Sequence, residues 1–340
     1  MGEQRLVIAG DMGGTKTLLG AYEDSAQGLR PVCEDRLINA GHEDAASLIA
    51  AFLKKNDIKG VRAACLAVAC PVEENRGALT NLGWTVDGAA LGERFNAGTF
   101  LLVNDLVATG LGALRLPKED LHVLQEGVEK PGNRCLIAAG TGLGEAMLFW
   151  DGAAYHASPS EGGHADFASR SPLEAELLNR LSRAYGHVSY ERILSGPGLE
   201  AAYGFLNTLH GGASAALNAA AIAGRALKGD DTGCMDALRL FVSIYGAEAG
   251  NLALKTLSSG GVYVGGGIAP KILPALESGV FMDAFRAKGR FEQWLSEVPV
   301  RVILNEKTAM LGAAHAAAGV LSRGRRAVKP STGKEYGKFR

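Results

Sequence analysis

A short aliphatic run that ends in a glycine-rich turn and resumes as a second apolar run occurs twice in this chain. That repetition limits the folds open to it. The first copy is Leu6-Val7-Ile8-Ala9, then Gly10-Asp11-Met12-Gly13-Gly14, then Leu18 to Tyr22, closed by Asp24-Ser25. The second is Cys135-Leu136-Ile137-Ala138-Ala139, then Gly140-Thr141-Gly142-Leu143-Gly144, then Ala146 to Trp150. Short β-branched and aliphatic runs interrupted by glycine read as strands joined by a tight turn. Two such units imply a duplicated architecture, one unit opening each domain. Glycine accounts for 46 of the 340 residues, nearly twice the usual share of about 7%.

A chain of 340 residues exceeds one ordinary core, so two domains are expected. Cys65 to Ala69 and Phe100 to Val103 read as buried strands, with helical stretches near Asp44–Lys55 and Leu106–Leu114. The second half is mostly helical: an alanine-rich stretch from Ala213 to Leu227 and an amphipathic one from Met235 to Leu257. The strand Gly261 to Val264 follows and is broken by Gly265-Gly266-Gly267; Thr308 to Leu321 reads as a last helix. Strands alternating with helices make an α/β protein. Residues 323–340, basic and containing Pro330, read as a disordered tail.

Composition excludes several function classes. Hydrophobic residues at 47% and charged residues at 21% describe a folded globular chain. A formal net charge of −1 provides no positive field to recruit nucleic acid. No run approaches the roughly 18 apolar residues of a membrane span. No secretory leader is expected at the start, and Leu6 stands where a myristoylation motif needs Ser or Thr. Five cysteines, never spaced Cys-x-x-Cys, point to reduced thiols and a cytoplasmic setting.

Four motifs carry chemistry. Gly10 to Thr17 approaches a P-loop but has Thr15 where that motif needs glycine, and a short strand follows instead of a helix. The phosphate-cradling logic survives without that label. Glycine lets backbone N–H groups approach an anion, while Thr15 and Lys16 add a hydroxyl and a positive charge. Asp11 would repel phosphate unless a cation lay between them, which makes it a candidate magnesium-side carboxylate; a solvated Asp in an ordinary hairpin is the competing reading. Gly140 to Gly144 is a second candidate phosphate turn, and fails as a dinucleotide fingerprint because Glu145-Ala146-Met147 and a strand follow.

Asn104-Asp105 sits at the carboxyl end of an apolar run and before a helix, the place where α/β proteins bind ligands. Asp105 could equally N-cap that helix. Glu161-Gly162-Gly163-His164-Ala165-Asp166 gathers ionisable groups on what reads as a loop, suited to a polyhydroxylated ligand. No cysteine follows His164 until Cys234, so a mixed His/Cys zinc site lacks ligands there. Glu191, before Ser195-Gly196-Pro197-Gly198, reads on its own as a solvated helix residue.

Together, in order from Val7 to about Ala317, these motifs resemble the bacterial glucokinase family, hexose kinases of the actin/hexokinase/Hsp70 fold. Ala69-Cys70-Pro71, Leu79-Thr80-Asn81, Glu191-Arg192-Ile193-Leu194-Ser195-Gly196-Pro197-Gly198-Leu199, Gly250-Asn251-Leu252-Ala253-Leu254 and Gly265-Gly266-Gly267-Ile268 also match. The resemblance implies a two-domain actin-like (ribonuclease H-like) fold with a sugar cleft between a small domain and a large one. The small domain would span residues 1–112, joined by the helix 306–322, and the large one residues 113–305.

By the same resemblance, Asp105 is the base facing the sugar's 6-hydroxyl, and Asn104, Glu161, His164 and Glu191 hold other hydroxyls. Gly10, Asp11, Gly13, Gly14, Thr15 and Lys16, with Thr141 and Gly142, hold ATP phosphates; Gly265, Gly266 and Gly267 lie near the adenosine. The implied activity is transfer of the γ-phosphoryl group of ATP to glucose, with Mg²⁺ oriented by Asp11 through water, no zinc, and a homodimeric assembly. Lys16 replaces the asparagine common in this branch and looks more like the related repressor/kinase (ROK) family, whose cysteine-rich zinc loop and DNA-binding module are absent. The alternatives are a kinase for another hexose or with a polyphosphate donor, and a non-catalytic sugar sensor.

Overall fold

The computed structural model describes residues 6–211 and 216–323. In its first half the strands are β1 (Leu6–Met12), β2 (Lys16–Ser25), β3 (Gly28–Ile38), β4 (Val61–Val68), β5 (Arg76–Leu79), β6 (Trp84–Asp87) and β7 (Thr99–Asn104). Five of them form a sheet in the order β3-β2-β1-β4-β7, with β5 and β6 as a separate hairpin. The second half contributes β8 (Leu121–Gln125), β9 (Arg134–Ala139), β10 (Leu143–Trp150), β11 (Tyr155–Ser160), β12 (Gly261–Gly265) and β13 (Val300–Ile303). Their order is β11-β10-β9-β12-β13-β8.

The two sheets repeat one plan. In each, the first strand pairs antiparallel with the strand after its glycine turn (β1 with β2, β9 with β10). On its other side it pairs parallel with a strand reached by a crossover (β4, β12), which in turn carries a second parallel strand (β7, β13). Among the described strands of the two sheets only β8 has no counterpart. The duplication inferred from the glycine turns is thus a duplication of topology.

Helices cover both faces of each sheet, which is why β1, β4 and β9 read as nearly continuous apolar runs. The helices are α1 (Ala45–Lys55), α2 (Gly88–Arg94), α3 (Asp105–Ala113), α4 (Pro172–Tyr185), α5 (Gly196–Leu209) and α6 (Ala219–Lys228). They continue with α7 (Thr232–Thr256), α8 (Leu273–Leu276), α9 (Val280–Arg286), α10 (Glu292–Ser296) and α11 (Thr308–Arg323). Alternate residues of β1 serve opposite faces: Ile8 and Met12 pack with Leu48, Ile49 and Phe52 of α1, and Val7 and Ala9 with Met310, Ala313 and Ala314 of α11. In the second sheet Ile137 and Val264 pack on Phe241 and Tyr245 of α7. The last helix therefore returns to the first sheet. It crosses α3 backbone to backbone at Gly312 and Gly112, where an added Cβ would fall 1.8 Å from Ala108 O and 2.0 Å from Thr308 O respectively.

Local chemistry sets the boundaries, and some differ from expectation. The alanine-rich helix begins at Ala219, not Ala213, because Asn218 caps it by accepting from Ala221 N; residues 212–215 lie outside the described residues. The strands after both glycine turns start earlier than expected, at Lys16 and Leu143. The tail expected over 323–340 lies, beyond Arg323, outside the described residues.

Candidate active site

The carboxyl ends of β1, β4 and β7 share one edge because the three strands run parallel. Asp11 and Asp105 stand at that edge. Asp11 pairs with Leu18 in the β1–β2 ladder, so the first turn contracts to Gly13-Gly14-Thr15. Gly13 N donates to Lys16 O at 3.1 Å. The turn is braced from behind by Asn39, whose Nδ2 donates to Gly13 O (2.8 Å) and whose Oδ1 accepts from the buried Thr17 hydroxyl (2.8 Å). Thr15 and Lys16 remain exposed.

Asp105 opens α3 but does not cap it, correcting the bland alternative. Asn104 is the N-cap: its Oδ1 accepts from Leu106 N (3.0 Å) and Val107 N (3.3 Å), which leaves its amide nitrogen only a long bond to Cys70 O at 3.4 Å. Asp105 takes the first helical position and accepts from Leu106 N at 2.9 Å. Burial, then the charges of Asp11 and Glu161, push its carboxyl up to about 6 against the pull of that backbone bond. Burial likewise lifts Asp11 to about 6, with Lys16 pulling the other way. Asp105 at the start of α3 therefore senses Asp11 from β1 and Glu161 from its turn.

The second turn belongs to the same cleft. An added Cβ on Gly144 would strike Leu106 at 2.7 Å, so β10 packs directly against the start of α3. Leu143 N donates to Glu191 Oε2 at 2.9 Å, and a Cβ on Gly142 would lie 2.4 Å from that oxygen. Glu191 is thus not a solvated helix residue. It sits half-buried in a short 3-10 turn, Tyr190–Arg192, against the glycine turn. The Glu161 segment is also more ordered than a loop: Gly162–His164 is a 3-10 turn. His164 bridges the two acids, Nε2 lying 3.9 Å from Glu161 Oε2 and Nδ1 3.8 Å from Glu191 Oε1. Thr141 is exposed beside them.

The third glycine cluster closes on the second turn. Gly266 has φ +82°, and an added Cβ would fall 2.3 Å from Ala139 O, so only glycine fits there. Ile268 N donates to Ala139 O at 3.1 Å. Tyr245 pins the arrangement from below: its hydroxyl accepts from Ala139 N (3.2 Å) and donates toward Gly265 O (3.2 Å). Gly265 is buried and Gly266 and Gly267 face outward.

Asp105 is thus brought near Asp11 and Glu161, and Glu161, His164 and Glu191 near the second glycine turn, whereas Gly10 and Gly265 lie buried within β1 and β12. Asn39, Tyr245, Glu145 and Glu248 escaped the sequence reading, being single polar residues inside otherwise ordinary segments. A hollow of about 760 Å³ lined by Arg170, Leu206, Arg239 and Val280 contains none of these groups. Among the described residues no group of three or more His, Cys, Asp or Glu side chains is arranged to hold a metal ion, and no helix is long and apolar enough to cross a membrane.

The family model for glucokinase matches residues 8–320. A glucokinase of Nostoc punctiforme is 40% identical over 337 residues, covering 92% of this chain and 99% of the relative. The crystal structure of a glucokinase from an Antarctic psychrotroph superposes with a TM-score of 0.85 at 30% identity, covering 93% of this chain and 100% of that one. A ROK family glucokinase from Streptomyces griseus, solved with glucose and AMPPNP, has a TM-score of 0.58 at 21% identity, covering 92% and 99% of the two chains, a likeness of fold. The fold is that of the actin-like ATPases.

Proposed function

This chain belongs to the glucokinase family, and on that footing we propose how its cleft moves the γ-phosphoryl group of ATP to the 6-hydroxyl of glucose. The observation that carries the reading is the placement of Asp105. It opens α3 at the carboxyl edge of the first sheet, with its carboxyl raised to about 6 and within electrostatic reach of Asp11 and Glu161. A base poised near the working pH takes a proton without holding the sugar's oxygen too tightly. Phosphoryl transfer leaves the protein little covalent work, so alignment and charge neutralisation dominate.

Asp105 accepts the 6-hydroxyl proton as that oxygen attacks in line. Glu161, His164 and Glu191, grouped with His164 3.9 Å and 3.8 Å from the two carboxylates, and the weakly bonded amide nitrogen of Asn104 orient the remaining hydroxyls. The exposed backbone of Gly13 and Gly14 with Thr15 and Lys16, and Thr141 with Gly142 opposite, receive the phosphates. Gly266 and Gly267 leave open backbone for the adenosine. The donor set fits a hard cation: Asp11 and Asp105 are carboxylates whose charges disfavour each other, with Lys16 as partial compensation. Mg²⁺, when bound, supplies charge neutralisation on the phosphates, and Asp11 would hold it through water.

The division into residues 1–112 with 306–322 and residues 113–305 belongs to this proposal, supported by the return of α11 to β1 and β4. So does cytoplasmic residence, supported by five free thiols, and a homodimer, which rests on the family resemblance and is checked by sedimentation.

A coupled assay across hexoses and donors tests the reading. Leaving a buried polar group unpaired costs about 1–3 kcal/mol, so glucose should exceed fructose widely in kcat/KM, with ATP as donor. Comparable efficiency on both sugars would indicate a broad hexokinase, and transfer from polyphosphate in preference to ATP would reassign the glycine turns.

A further inference from the structure

Both sugar-facing turns stand on a buried polar cluster that the transfer chemistry does not use. Glu145 of β10, 1% exposed, lies opposite Ser160 in the β10–β11 ladder, beneath the Glu161–His164 turn. A Cβ on Gly162 would fall 2.0 Å from Glu145 Oε2, so this carboxyl rests against the backbone of the turn. Its Oε1 is buried with no hydrogen-bond partner. On α7, Glu248 is fully buried; its Oε2 accepts from Asn251 Nδ2 at 2.7 Å and its Oε1 from Lys255 at 3.3 Å. Asn251 Nδ2 also donates to the hydroxyl of Tyr190, the neighbour of Glu191, at 3.1 Å. One turn therefore rests on Glu145 and the other, through Asn251, on Glu248.

We propose that Glu145 is a positioning residue of the sugar site: touching no substrate, it sets the height of the Glu161–His164 turn through its contact at Gly162. A buried carboxylate with an orphan oxygen is costly, and the nearby cation, Lys255, is already bonded to Glu248. The titratable groups around it agree. Burial first, then Glu248, push Glu145 up to about 7, with Lys255 pulling down; Tyr245 on α7 and Cys135 on β9 also face it, both pushed up chiefly by burial and so neutral. As pH rises through neutrality Glu145 ionises beside Glu248, and the turn it supports loses its neutral seat.

The inference rests on Glu161 and His164 holding the sugar, so its test carries a control for that reading. Glucose affinity by calorimetry, and KM and kcat, are measured from pH 6 to 8.5 for wild type, Glu145→Gln, Glu145→Ala and Glu161→Gln. Wild-type affinity should fall about threefold or more across that range, since ligand binding coupled to a proton follows its titration. Glu145→Gln, neutral at every pH and of the same shape, should match wild type at pH 6 and keep that affinity at pH 8.5. Glu145→Ala should raise KM for glucose about tenfold with kcat and KM for ATP nearly unchanged, since a shifted turn affects ground-state and transition-state binding alike. If Glu145→Gln is as impaired as Glu145→Ala, or shows the wild-type pH profile, the proposal is wrong; in the latter case the titration belongs to another group. If Glu161→Gln weakens glucose and Glu145→Ala does not, the positioning role alone fails. If neither changes glucose affinity, the sugar site itself is misassigned. Should Glu145→Ala not fold, the glutamine variant and its pH profile decide the matter.

Discussion

At the scale of single residues two carboxyls, Asp11 and Asp105, are pushed up to about 6, chiefly by burial. As the proposed base Asp105 must be ionised to accept a proton, and burial with the Asp11 charge raises it to about 6. The predicted kcat/KM therefore falls about tenfold per pH unit below roughly pH 6, read as an acidic limb in the pH–rate profile. For stability the sign is reversed. A raised carboxyl keeps its proton in the native state to higher pH than in the unfolded chain, so its contribution is present below about pH 4 and is lost as pH rises through 6. Asp105→Asn removes that loss, so its stability in urea should gain on wild type between pH 5 and pH 7.5; a constant difference would mean that Asp105 is not raised. Asn39 carries a second residue-scale prediction. Its bonds to Gly13 O and Thr17 shape the first glycine turn without touching the sugar rim. Asn39→Ala should cost about 1–3 kcal/mol in stability and raise KM for ATP while sparing KM for glucose, a split that steady-state kinetics would show.

At the scale of elements the closest approach is the crossing of α3 and α11. A Cβ on Gly312 would meet Ala108 O at 1.8 Å, and backbone on both sides leaves nothing flexible to yield. Gly312→Ala should lower stability by about 1–3 kcal/mol, the usual cost of overpacking, and it should also misplace Asp105 at the far end of α3, lowering kcat; a variant as stable and active as wild type would show the crossing to be loose. The strands β1, β2, β9 and β10 were legible in sequence because helices bury their aliphatic residues on both faces. The strand β3 was not: at the sheet edge its residues alternate with exposed Arg30, Pro31, Glu34 and Arg36, the charged and proline-bearing pattern that protects an edge and resembles a loop. Helix α1 was legible almost to the residue because Asp44 and Ser47 form a capping box. In the site, Asp105 stood out through its position after a strand. Glu191 came only from resemblance, since its bond to Leu143 N spans 48 residues. No local pattern marks Glu145 or Glu248, whose polarity matters only once β10 and α7 are packed.

At the scale of the whole molecule, one sheet plan is built twice, each with a glycine turn after its β1- or β9-type strand, and α3 and α11 pack together between the halves. Sugar binding should draw the halves together and exclude water that would otherwise take the phosphoryl group. Glucose should thus reduce the radius of gyration in solution scattering; an unchanged profile at saturation would argue for a rigid cleft. EDTA should abolish turnover while leaving fold and glucose binding intact, because the sugar contacts assigned here are all made by side chains. The central claim joins all three scales: the cleft transfers phosphoryl groups because Asp105, at the end of β7, takes the sugar's proton. Its most direct test is Asp105→Asn, with turnover, glucose binding and melting temperature measured on the same preparation and Asp166→Asn, an exposed acid paired with His187, as control. Turnover should fall about 10²–10⁴-fold, the range expected for a general base, with glucose binding weakened far less and the fold intact. Turnover near the wild-type value in a folded Asp105→Asn protein would contradict the account.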